Sequence, residues 1–188
     1  MCWTIRPCHR PSKRPLPVRS LKLLAAVVLA ALVHFVGVRL WPDFARATDV
    51  FLVVVALYGL EGSSLSALLV GMLVGLLQDT LTSGPFGLFG FADTIIGYAT
   101  ARLAQRLVIQ RPTGVLALVG FASVLQQVIV LGLAFVLLPT PETPSPLWTA
   151  IRAASCGLLG MVVYVAGGSW RRSAEARRRG RMSKLRLD

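Results

Sequence analysis

Residues 71–98, GMLVGLLQDTLTSGPFGLFGFADTIIGY, decide how this chain folds. The stretch is apolar enough for a lipid bilayer, yet it holds two aspartates, Asp79 and Asp93, on either side of a Ser-Gly-Pro turn at 83–85. A charged side chain at the centre of a transmembrane helix costs roughly 2.5–3.5 kcal/mol on insertion scales. We therefore interpret the stretch as a helical hairpin in a membrane, and we expect its carboxylates to have specific partners.

The rest of the chain has the same apolar character. It has 188 residues, of which 55% are hydrophobic, and apolar runs of about 20 residues, the length that crosses a bilayer core, recur along it. We predict an all-α, polytopic membrane protein rather than a barrel, whose strands would show alternation over about ten residues. The six predicted spans cover residues 23–40, 50–60, 64–81, 86–103, 114–138 and 147–167.

The second span is the weakest of the six. Its apolar run, residues 50–60, is short, and extending it through residues 44–48 would carry Arg46 and Asp49 near its outer end. The predicted domains are a disordered basic N-terminus at 1–20, a six-helix transmembrane domain at 21–170, and a basic tail at 171–188.

The basic residues predict the orientation of the chain. The net charge is +12, and six of the 20 basic residues precede the first span while eight follow the last. Positive charge beside membrane spans marks the cytoplasmic side, so we expect both termini in the cytoplasm. The joint at 104–112 is basic and falls inside, whereas the joint at 139–146 has no base and falls outside. We therefore expect anionic lipid at the tails and no nucleic-acid partner.

Enzyme chemistry has no support in the sequence. The three cysteines form no CxxC pair, and no HExxH, GxSxG or phosphate-loop motif is present. Without a nucleophile–base constellation or a metal-ligand set, we predict no catalytic residue, no cofactor and no metal.

A stripe of small residues runs along the third span. Gly71, Gly75 and Asp79 are spaced by four and lie within about 80° on one helix face. Small residues at this spacing let helices approach closely in lipid. The stripe is either an interior packing face or an interface for a partner protein, and the sequence leaves both open.

Arg152 is the basic residue that lies well inside an apolar run, in the outer half of the sixth span. Because a buried charge usually has a partner, we predict that Arg152 faces Asp93 or Asp79. The alternative is that Arg152 extends to the outer headgroups while Asp79 caps the turn. Further polar residues in the spans are expected to form hydrogen bonds between helices: His34, Gln78, Gln126 and Gln127.

The hairpin resembles the signature of a known family. The shared features are Gln78-Asp79, Leu81, the turn at 83–85, Gly87-Leu88 and Gly97-Tyr98, with Trp41-Pro42-Asp43 and Tyr58 upstream. Over residues 21–170 the chain resembles MreD, the rod-shape-determining membrane protein family. Asp79, Pro85, Gly87 and Tyr98 match the family pattern, whereas Asp93 has no assigned place in it. The candidate interaction and structural residues are therefore Gly71, Gly75, Gln78, Asp79, Pro85, Gly87, Asp93, Tyr98 and Arg152.

The resemblance implies a function. It implies a non-enzymatic scaffold of the elongasome in the bacterial inner membrane, which docks an MreC-like single-span partner and helps to regulate peptidoglycan synthesis and cell shape. It also implies direct or indirect links to the MreB cytoskeleton, RodA and a penicillin-binding-protein synthase, and it leaves homo-oligomerisation open. The family fold is similar to the substrate-binding subunit of energy-coupling-factor transporters.

That similarity supplies the alternative function, a subunit that binds a vitamin-type small molecule for transport. The spacing Ala26-x-x-x-Ala30 in the first span favours it weakly, and the short 139–146 joint, which lacks aromatic and basic residues, speaks against it. A lipid-handling enzyme is a third and poorly supported possibility.

Overall fold

A computed structural model of the protein describes residues 16–82, 86–106, 111–137 and 145–184, with side chains between Ser20 and Gly168. Over these residues the chain is helical and contains no strand, as predicted. Its helices are α1 (Leu16–Leu40), α2 (Phe44–Ala47), α3 (Val50–Glu61), α4 (Ser64–Leu81), α5 (Leu88–Arg106), α6 (Pro112–Leu137) and α7 (Pro146–Lys184).

Four of the described helices are long and apolar enough to cross a membrane, as expected of a membrane protein. They are α1 over Ser20–Leu40, α4, α6, and α7 over Pro146–Gly168. The 12 residues of α3 extend about 18 Å at 1.5 Å per residue, less than the roughly 30 Å of a bilayer core. Helix α5 is long enough but carries Asp93, Arg102 and Arg106. The predicted second and fourth spans are thus helices that are not, each by itself, both long and apolar enough to cross a membrane.

The short helix α3 lies at the centre of the bundle. It contacts α1, α4, α5, α6 and α7, and Phe51, Leu52, Val55 and Ala56 are completely buried. A helix that is apolar on all sides is stable only when other elements surround it. Helix α1, by contrast, packs through one side and exposes most of its apolar residues, as expected of a helix in contact with lipid.

The second span, when extended through residues 44–48, is not one continuous helix. Thr48 is extended and separates α2 from α3, and Asp49 is the N-cap of α3. Its side chain accepts a hydrogen bond from the backbone N–H of Leu52 at 3.0 Å. Asp49 is thus buried at the start of α3, with an exposed fraction of 3%.

The ends of the chain also differ from the predicted pattern. Helix α1 begins at Leu16, so residues 16–20 are helical rather than disordered, and residues 1–15 lie outside the described part of the chain. Helix α7 continues without a break to Lys184, across the predicted boundary at residue 170. The basic tail thus begins as an extension of the last helix.

Candidate functional site

The stripe of small residues on α4 is the contact surface for α5. A Cβ atom on Gly71 would overlap the carbonyl oxygen of Asp93, and one on Gly75 would lie 2.5 Å from that of Phe89. Gly97 of α5 packs in the same way against the backbone of Ala67. Of the two interpretations of the stripe, the structure places Gly71 and Gly75 in an interior packing face.

Asp79 ends this face and holds the hairpin together. Its carboxylate accepts hydrogen bonds from the backbone N–H groups of Gly87 at 3.0 Å, Phe89 at 3.0 Å and Gly90 at 2.9 Å. Amide groups at the start of a helix have no partner within it, and the helix dipole favours a negative charge there. Gly87 has a φ of +102°, a conformation that favours glycine. Asp79 therefore caps α5 across the turn, and Pro85 lies outside the described residues.

Arg152 pairs with a carboxylate that the sequence did not single out. Its Nη2 atom lies 2.6 Å from Oδ2 of Asp49, and both side chains are buried. The prediction that Arg152 faces Asp93 or Asp79 is wrong, because α3 brings Asp49 to the centre of the bundle beside α7, while backbone amides occupy Asp79. With an exposed fraction of 8%, Arg152 does not extend to the surface either.

Glutamines extend this ion pair across the bundle. Nε2 of Gln78 donates to Oδ2 of Asp49 at 2.8 Å, Nη2 of Arg152 donates to Oε1 of Gln126 at 3.2 Å, and Nε2 of Gln126 donates to Oδ1 of Asp93 at 2.7 Å. We call these five residues the buried network. They join the N-terminus of α3 to α4, α5, α6 and α7. Arg152 and Asp93 are therefore linked indirectly, by hydrogen bonds that both form with Gln126.

Side chains of α7 also form hydrogen bonds with backbone groups at the break between α2 and α3. The hydroxyl of Ser155 donates to the carbonyl oxygen of Ala47, and the backbone N–H of Asp49 donates to Sγ of Cys156 at 3.2 Å. Unpaired backbone groups inside a membrane protein are costly. Arg152, Ser155 and Cys156 lie on one face of α7, so a single helix surface stabilises the break.

Tyr98 belongs neither to the packing face between α4 and α5 nor to the buried network. It is 40% exposed, and its hydroxyl accepts a hydrogen bond from Nε of Arg102 at 3.1 Å, with the guanidinium 5.6 Å from the ring centre. Among the residues that the structure describes, no group of three or more His, Cys, Asp or Glu side chains is placed to hold a metal ion.

Sequence reasoning missed Asp49, Ser155 and Cys156, and it treated Gln126 only as a hydrogen-bonding residue. For Asp49 a signal existed: an aspartate directly before a short apolar run is a typical N-cap. A run too short to cross a bilayer, with a cap at its start, predicts a helix that begins inside the protein. Nothing in the sequence marks Ser155 or Cys156.

Comparison with known proteins matches the chain to a family. No curated protein and no solved structure matches the chain. A family model, described as rod shape-determining protein MreD, matches residues 18–145. The matched range holds Asp49, Gln78, Asp79, Asp93 and Gln126, while α7 lies beyond it. Since the match covers more than half of the chain, the protein belongs to the MreD family of rod shape-determining proteins.

Proposed function

We propose that this protein is a non-enzymatic membrane scaffold of the bacterial elongation machinery. Membership of the MreD family, which carries the proposal, implies a role in rod-shape determination. In the proposed role the protein docks an MreC-like single-span protein in the inner membrane and helps to regulate peptidoglycan synthesis. Its links to RodA, the penicillin-binding-protein synthase and the MreB cytoskeleton are direct or pass through that partner.

The use of the polar side chains inside the bundle supports a scaffold. Asp49 and Arg152 form an ion pair. Gln78 and Gln126 donate hydrogen bonds within the buried network, and Asp79 accepts them from backbone amides. Polar groups that connect facing helices stabilise one arrangement of the bundle. A fixed arrangement suits a protein that presents a surface to partners.

The proposed membrane arrangement has six spans with both termini in the cytoplasm. In this arrangement α5 crosses the membrane with its acidic residue, Asp93, buried in the bundle. Helices α2 and α3 together make one crossing. The basic residues Arg106, at the end of α5, and Arg111, just before α6, support a cytoplasmic joint. Single cysteines introduced at residues 108 and 142, in a background without the native ones, would report opposite sides to a membrane-impermeant thiol reagent.

The functional test combines depletion with affinity purification after crosslinking. Depletion of the protein in its host is expected to convert rods to rounded cells, and the tagged protein is expected to recover a single-span protein with a periplasmic domain. The control is complementation of the depleted cells with the Gly132→Ala variant, which should restore rods, because a Cβ atom there meets nothing within 4 Å. Retention of a vitamin-type molecule, with cell shape intact and no such partner recovered, would support the transporter-subunit alternative instead.

A further inference from the structure

The buried network holds more acid than base. It contains two carboxyl groups, those of Asp49 and Asp93, and one guanidinium, that of Arg152. All three are buried, Asp93 completely so. Among the side chains that the structure describes, Arg152 is the one buried basic residue. Since Arg152 is in direct contact with Asp49, a fully ionised network would leave one negative charge without a cation.

The three carboxyl groups that are buried in the described part of the chain differ in their hydrogen-bond partners. Asp79 accepts three backbone N–H groups at the start of α5, and Asp49 accepts from Arg152, from an amide side chain and from the start of α3. Asp93 lies within α5, away from its first amides, and accepts one bond, from Gln126 to Oδ1. Its Oδ2 atom has no hydrogen-bond partner among the described residues. Asp93 is therefore the carboxyl group least able to hold a charge.

The charged groups around Asp93 do not compensate for this. Asp49 at the start of α3 and Asp79 of α4 repel a negative charge on Asp93, Arg152 of α7 attracts it, and α6 contributes the neutral Gln126. The one attractive group is already engaged with Asp49. Burial of an ion without its own partner is strongly unfavourable, and a buried acid usually becomes neutral instead.

We propose that Asp93 is a proton-binding site, whose carboxyl group carries a proton on Oδ2 in the folded protein. Oδ1 then accepts from Nε2 of Gln126, while Oε1 of Gln126 accepts from Arg152, which matches the observed geometry. The network is then neutral, with one carboxylate, one guanidinium and one acid. Loss of the proton creates a second carboxylate that competes for Arg152 through Gln126, so the proton is linked to the ion pair at the centre of the bundle. This site does not depend on the scaffold function.

Infrared spectroscopy of the full chain in lipid nanodiscs tests the proposal at neutral pH. A protonated carboxyl group has a C=O stretch separate from those of carboxylates and backbone amides. We expect one such band in the parent, shifted in heavy water, lost in Asp93→Asn and moved but retained in Asp93→Glu. The matched controls are Asp79→Asn, which alters a carboxylate held by amides, and Asp43→Asn, which alters one that is 41% exposed. Both should keep the band.

The contrary results are equally specific. If the folded parent shows no protonated-carboxyl band that depends on Asp93, the residue is ionised and the proposal fails. It also fails if sodium or potassium, exchanged at constant ionic strength, raises the unfolding temperature of the parent but not of Asp93→Asn, because a metal cation would then replace the proton.

Discussion

Two buried carboxylates in this protein, Asp79 and Asp49, are stabilised in opposite ways. Asp79 is bound by backbone amides eight to eleven residues further along the chain. Asp49 is bound by side chains 29 and 103 residues away, those of Gln78 and Arg152. Closing a long loop costs more entropy than closing a short one, so the Asp79 cap can form within one hairpin, whereas the buried network requires α7. The comparison separates a local joint from the contact that completes the bundle.

The largest expected effect comes from removing the cation of the network. Arg152→Met leaves Asp49 buried without its charged partner, which should lower the free energy of unfolding by about 3–5 kcal/mol. Titration with a denaturing detergent, followed by circular dichroism, measures the change. Arg102→Met removes an arginine that is exposed, and as the control it should change the value by no more than about 0.5 kcal/mol.

A second substitution identifies the partner of Arg152. Asp49→Asn added to Arg152→Met should recover part of the lost stability, because it removes the unpaired charge while an amide oxygen can still accept from Gln78. If Asp93→Asn rescued the arginine variant and Asp49→Asn did not, Asp93 would be the counterion and the assignment of the pair would be wrong.

The packing face that leads to Asp79 should show the next largest effect. Gly71→Ala places a methyl group on the backbone of α5 at Asp93, and because backbone cannot move as a flexible side chain does, we expect a loss of about 1–3 kcal/mol. Gly132→Ala is the matched control, since its Cβ has open space and alanine favours the helix by up to about 1 kcal/mol. Equal stability of the two variants would show that α4 and α5 are not in close contact.

The cap itself should matter less than the network. Asp79→Ala removes three hydrogen bonds at the start of α5, and loss of a helix cap typically costs about 0.5–2 kcal/mol. Asp79→Asn keeps a side-chain acceptor and should cost less. Thr80→Ala changes the exposed neighbouring residue and serves as the control. The same detergent titration measures the stability of all three variants. A loss as large as that of Arg152→Met would mean that the hairpin, not the network, dominates stability.

The local features of the fold could be predicted from the sequence, and the long-range ones could not. The third span was predicted over the residues that form α4, and the stripe with Gly71 and Gly75 identified its packing face, because periodicity and residue size act within one helix. Asp79 was placed at the end of that span, and it caps the helix that follows, α5. These inferences need only neighbours in the chain, which a sequence displays.

The partners of Arg152 needed information that periodicity does not contain. The choice among Asp49, Asp79 and Asp93 depends on how far each helix extends into the bundle. Asp49 reaches the centre because α3 begins inside the protein. The break between α2 and α3 allows this, and α7 stabilises that break. The two residues of the ion pair, Asp49 and Arg152, are 103 residues apart in the chain. Charge alone therefore predicted that Arg152 has a partner but not which one.

The smallest expected effect on stability is at Tyr98, and it tests the proposed function rather than the fold. Tyr98→Phe keeps the ring and removes a hydroxyl on an exposed side chain, so the free energy of unfolding should change by less than about 0.5 kcal/mol. Neither the cap nor the network contains this hydroxyl, and a defect in cell shape at unchanged stability would therefore indicate a contact with a partner. Leu103→Ala, on the same helix and 37% exposed, is the control for general changes of that surface. Wild-type rods with Tyr98→Phe, measured as the length-to-width ratio of complemented cells, would exclude the hydroxyl from partner docking.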